Sequence, residues 1–216
     1  MALAVMTMMT SVIAGTAGAA QRSGLFLCQS SVFRVANQTW IQANPPETPC
    51  TDDAKATDRQ DITLFGTYRV QSSVIDARTD QKPNVLTSTS PASGDLANSS
   101  ARLASIRISG PGLLVEFGAV HADAVVTCLD GGDGLVPSFS ARSTIVTLRI
   151  NGTPVVDLTG PIIIPLPVGT LRLNQTTTTA TTLTRHAAVW DTPFVDLILG
   201  EAKVSIAPSD GSPCRA

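Results

Sequence analysis

Ser143–Thr192 reads STIVTLRINGTPVVDLTGPIIIPLPVGTLRLNQTTTTATTLTRHAAVWDT. Thr144–Ile150 alternates and stops at Asn151-Gly152. Asn-Gly between two β-branched runs signals a tight hairpin, because both central residues can take positive φ cheaply. A second strand is expected over Thr153–Leu158. After the Gly160-Pro161 break come Ile162–Leu166, a turn at Pro167–Gly169, and a resumed alternation at Leu171–Gln175. The stretch predicts an all-β chain, an antiparallel β-sandwich-like single domain. It carries no pattern of an activity.

Working outward, 216 residues fit one domain with a core of its own. Aromatics make up only 4%, so Val, Leu, Ile and Ala must fill the interior. A net charge of −2 and only three lysines (Lys55, Lys82, Lys203) give no electrostatic reason to expect nucleic acid or an anionic membrane as partner. The first residues, MALAVMTMMTSVIAGTAGAA, are small and apolar, and Ala17-Gly18-Ala19 suits a cleavage site. Residues 1–19 are therefore expected to be a secretory signal peptide, although the basic segment that usually opens one is missing. The mature chain has no membrane-spanning segment by this reading.

Cys28, Cys50, Cys128 and Cys214 are an even set in an exported chain, which suggests two disulfides with three possible connectivities. Sequence order favours Cys28–Cys50 and Cys128–Cys214, each worth roughly 3–5 kcal/mol in the loop-entropy picture. No CxxC spacing and only two histidines leave no zinc pattern.

Residues 20–61 are expected as an N-terminal strand and disulfide loop packed on a main domain of residues 62–216. Leu25–Val35 reads as a strand, Gln38–Pro49 as proline-rich chain unfit for a central strand, and Thr51–Asp61 as a solvated charged loop. Ile62–Asp76 reads as strand broken by Gly66, and residues 79–100 as a mobile polar loop. Leu113–Cys128 is the longest strand-like run, and with both faces largely apolar it is expected to be buried on both sides. Phe194–Ala207 is the last strand, with Glu201 and Lys203 on an exposed face.

Catalytic signatures are missing. GxSxG, HExxH, the P-loop and GxGxxG do not occur. His121 and Asp123 share a strand face about 7 Å apart, too far for a hydrogen bond by spacing alone. His186 is expected to be exposed. Glu116 and Glu201 are acids with nothing to pair them, and Trp40, Trp190 and Tyr68 are too scattered for a sugar platform. No catalytic residue, cofactor-binding residue or metal ligand is assigned, and no cofactor is expected.

Four phrases together resemble the choice-of-anchor P family, exported or surface proteins of actinobacteria and related bacteria. They are Phe26-Leu27-Cys28-Gln29-Ser30 with its Ser-Val-Phe-Arg-Val continuation, Ala43-Asn44-Pro45 through Thr48-Pro49-Cys50-Thr51-Asp52-Asp53, Leu171-Arg172-Leu173-Asn174-Gln175-Thr176, and Glu201-Ala202 leading to Pro213-Cys214. The resemblance implies secretion, a β-rich extracellular region and no established enzymatic role. It supplies no catalytic residue. Anchored members carry a sorting signal or apolar tail, which Cys214-Arg215-Ala216 is not, so free secretion is expected beside surface attachment. The expected function is that of a non-catalytic envelope, adhesion or binding domain whose partner is an extracellular or envelope protein or glycan. The competing expectation is a secreted hydrolase or carbohydrate-active protein with a site built from dispersed residues.

Overall fold

The computed structural model describes residues 26–36, 38–82, 91–206 and 214. The expected signal peptide lies outside them. The regular elements are all strands: β1 (Phe26–Val35), β2 (Gln38–Ala43), β3 (Asp53–Leu64), β4 (Tyr68–Lys82), β5 (Leu96–Gly110), β6 (Leu113–Phe117), β7 (Val120–Asp130), β8 (Leu135–Ile145), β9 (Leu148–Ile150), β10 (Thr153–Pro154), β11 (Ile162–Pro165), β12 (Thr170–Thr178), β13 (Thr182–Asp191) and β14 (Asp196–Ile206). One sheet runs β11-β12-β13-β14-β1-β2. The other runs β10-β9-β6-β5-β4-β3, with β7 between β5 and β8. Every pairing is antiparallel.

The two sheets pack face to face over one core, with Trp190, Phe33, Leu103, Ile106, Leu148, Leu171 and Leu199 fully buried. Trp190 and Tyr68 meet edge to face with ring centroids 5.1 Å apart. The indole Nε1–H donates to Val168 O at 2.7 Å, so the largest core side chain also pins the β11–β12 turn. Polar seams join the layers. Ser30 Oγ donates to Ser100 O and Ser99 Oγ to Gln29 O. On another flank buried Asn174 donates to Leu158 O and Gly160 O at 2.9 and 2.8 Å and accepts from Ser143 Oγ at 2.5 Å. Arg185 Nε donates to Ser143 Oγ at 2.9 Å, and burial pulls the pKa of this guanidinium down.

Both sheets are creased. In the six-stranded sheet Asn174, Ala187, Gly200, Val32 and Ile41 stand one on each of β12, β13, β14, β1 and β2 at a level where the pairing skips. Leu173↔Ala188↔Leu199↔Phe33↔Trp40 lie on one side of the row and Gln175↔His186↔Glu201↔Ser31↔Gln42 on the other. Residue counts are equal on facing strands, so nothing is inserted as in an ordinary bulge. Asn174, Gly200 and Ile41 have φ of 56°, 68° and 52°. A Cβ on Gly200 would meet Ala187 Cβ at 3.3 Å, with Leu103 and Ala122 of the other sheet just beyond. The eight-stranded sheet skips likewise at Asp58, Val74 and Ala104. The crease continues where β6 gives way to β7 and β8 to β9, joined there by Gly118 N–H to Thr147 O and Val146 N–H to Ala119 O, each 2.9 Å.

The crease corrects the expectation for Leu113–Cys128. Leu113, Val115 and Phe117 are buried, and then Val120, Ala122, Ala124, Val126 and Cys128. The buried face changes from odd to even positions at Gly118-Ala119, so each strand is buried on one side only. Thr144–Ile150 breaks in the same way at Val146-Thr147. The Asn-Gly hairpin forms as expected, with φ of 50° and 81° at Asn151 and Gly152, although β10 extends only over Thr153–Pro154.

Thr51–Asp61 is not a loop: β3 begins at Asp53 and forms the edge of its sheet. Its Asp53, Lys55, Asp58, Arg59 and Asp61 are the charges that keep an exposed edge from pairing with another chain. The expected 79–100 loop is shorter as well. Residues 79–82 belong to β4 and 96–100 to β5, paired as Thr79↔Ser99 and Lys82↔Leu96. Residues 83–90 lie outside the described residues. The N-terminal segment is woven into both layers, since β1 lies between β14 and β2 while β3 joins the opposite sheet.

Candidate functional site

The four cysteines pair as sequence order favoured, Cys28–Cys50 and Cys128–Cys214. The first closes a 22-residue separation and holds the loop after β2 against β1. Asn44, buried with φ of 55°, wires that loop. Its Nδ2 donates to Cys28 O at 2.8 Å and Pro49 O at 3.1 Å, and its Oδ1 accepts from Thr51 Oγ1 at 3.0 Å. The Asn44 N–H donates to Asp53 at 3.0 Å and, with Lys55, lowers that carboxyl's pKa. The second disulfide spans 86 residues and fastens Cys214 to β7.

Among the described residues the most buried acid lies on the outer face of the six-stranded sheet, next to the crease. Glu201 is only 4% exposed. It accepts from Arg34 Nη2 at 2.5 Å and lies 2.8 Å from His186 Nε2, with Ser31 Oγ at 3.4 Å. Burial pushes its pKa up, but the His186 bond and the Arg34 and Lys203 charges outweigh that, and the net shift is downward. Two expectations fail here. His186 is part-buried rather than exposed, and Glu201 is no solvated acid beside Lys203. The partners come from strands far apart in sequence, β1, β13 and β14, brought into register as Ser31↔Glu201↔His186. A strand-by-strand reading could not see them.

Arg34, His186, Glu201 and Lys203, with Thr177 and Thr184, line an open recess of about 480 Å³. A smaller one of about 250 Å³ adjoins it and shares Gln29 and Lys203. Strained backbone gathers at both. Ala36 lines the larger with φ of 50°, and Glu47 lines the smaller with φ of 57°.

A second histidine lies on the other outer face. His121 Nε2 is 2.9 Å from Asp123 Oδ1, closer than the spacing of their backbones suggested. Arg102 Nε also donates to His121 Nε2, at 3.3 Å. One nitrogen cannot give to Asp123 and accept from Arg102 at once, so the two contacts require different positions of the ring proton. An open recess over β5, β7 and β8 holds His121 and Asp123, and Ser140, which also lines it, stands on β8 opposite Val125, four residues from Thr144, the residue opposite His121. Among the described residues no serine hydroxyl bonds to either histidine. Glu116 and Glu201 lie in different sheets, Glu116 beside Arg107 at 3.6 Å, and form no carboxylate pair. Tyr68 and Trp190, distant in sequence, come together in the core, while the exposed aromatic contact is Phe65–Phe194, with centroids 5.5 Å apart.

No family model, curated protein or solved structure matches this chain.

Proposed function

We propose that this chain is an exported, non-catalytic binding domain that works at the cell surface or in the surrounding medium, in adhesion or envelope assembly. The observation that carries the reading is the pairing of all four cysteines, one bond on the first strand and one reaching Cys214. Such pairing persists in oxidising compartments and is rare where thiols are kept reduced. The apolar N-terminal stretch and the resemblance to choice-of-anchor P proteins support it. Fractionation of the producing cells tests the compartment: the chain should appear in the medium or in a surface fraction open to protease. Recovery from the cytoplasm with free thiols would overturn it.

One observation favours a secreted hydrolase instead. Glu201 holds His186 through Nε2 in a polar recess, an arrangement that could orient an imidazole base. Assays on esters and glycans separate the two readings. The binding reading expects no turnover, and turnover abolished by His186→Ala would replace it.

A further inference from the structure

We infer that the recess over β1, β13 and β14 binds a polyhydroxylated glycan through a carboxylate on one of its sugars. This deepens, and rests on, the reading of the chain as an exported binding domain. Glu201 is buried and held from within by Arg34, His186 and Ser31, so it anchors the floor. What remains is donor-rich. Lys203 Nζ makes no hydrogen bond or ion pair among the described residues. Arg34 keeps 35% of its side chain exposed, and Thr177 and Thr184 place hydroxyls beside them. In the larger recess Arg34 is paired with Glu201, which leaves Lys203 as the cation open to an anionic group, while Glu47 puts an acid in the adjoining smaller recess.

Size and shape agree with that ligand. The larger recess falls in the ~300–1,000 Å³ range of small-molecule sites. Gln29 and Lys203 line both recesses, so the trough suits an extended polar chain better than a single ion. The positive φ of Ala36 and Glu47 at the rims is backbone strain of the kind that gathers at ligand clamps.

The test is a binding titration of the full, disulfide-bonded chain against uronic-acid oligosaccharides and their carboxyl-reduced, neutral counterparts. The acidic members should bind about tenfold more tightly or better, since a charge-assisted hydrogen bond is lost on reduction. Lys203→Gln should lose a similar factor while the chain stays folded with only a slightly lower melting midpoint, and Thr184→Val should weaken binding without removing the acid preference. Absence of binding to every acidic member would overturn the inference. So would equal binding of acidic and neutral members that Lys203→Gln leaves untouched, although that result would leave the exported binding reading standing. Cleavage of the bound glycan, abolished by His186→Ala, would instead sink the non-catalytic reading while an intact acid preference upheld the recess.

Discussion

Glu201 shows how one residue's environment decides its chemistry. On an ordinary exposed strand it would be a solvated carboxylate. Here it is removed from water and held by Arg34 and His186. Replacing it with Gln keeps the shape and removes the charge, leaving a part-buried guanidinium without its anion. Glu201→Gln is expected to lower the unfolding free energy by about 1–3 kcal/mol, read by chemical denaturation. The sign of its pH dependence follows from the lowered pKa. The stabilisation is complete above the unfolded value, near 4.5, and is lost as pH falls through the folded one. Asp61, held at about 2 by Arg69, adds to the same acid limb from the surface. Wild type should therefore lose stability as pH falls from about 4.5 towards 2, and Glu201→Gln should flatten that limb. An unchanged acid limb in the variant would show that the pair does not link to folding. Asp196 runs the other way. Burial, and Asp191 beside it, raise its pKa, so its contribution is present at low pH and lost as pH rises through the folded value.

At the scale of the strand, the crease is the feature to challenge. Gly200 has φ of 68° and faces Ala187 at the closest approach, so Gly200→Ala adds both backbone strain and crowding in the core. It should cost about 2–4 kcal/mol. Gly152→Ala, at φ of 81° in open space, should cost only about 1–2 kcal/mol. Thermal or denaturant unfolding of the two variants checks the order, and equal losses would mean that the crease is not tightly packed.

The crease also marks where sequence reading stopped. The hairpin at Asn151-Gly152 was legible because its signal is local. So was the existence of the last strand, though not its faces, because the skip at Gly200 shifts their phase. Leu113–Cys128 was misread because a one-residue change of phase at Gly118-Ala119 makes both faces of a notional straight strand look apolar. β3 reads as a loop in the sequence because edge protection uses the same charged residues as solvated loops. Glu201 and His186 were misplaced for another reason: Arg34 lies 167 residues from Glu201, and no periodicity reports a contact between strands that distant. The Glu201 recess was therefore invisible from the sequence, whereas the all-β class and the cysteine pairs were not.

For the whole molecule, the disulfides act on the ends of a sandwich whose sheets already share a core. Removing the 86-residue crosslink with Cys128→Ala/Cys214→Ala should cost about 2–5 kcal/mol, and slightly more than Cys28→Ala/Cys50→Ala by loop length alone. Unfolding in the presence and absence of reductant measures both. The central claim is that this is an exported domain closed by two native disulfides. Its most direct test is non-reducing peptide mapping of the protein taken from the medium or surface of its own cells. The account predicts peptides joined as Cys28–Cys50 and Cys128–Cys214 with no free thiol. Crossed pairing, or reduced cysteines in protein found only inside the cell, would contradict it.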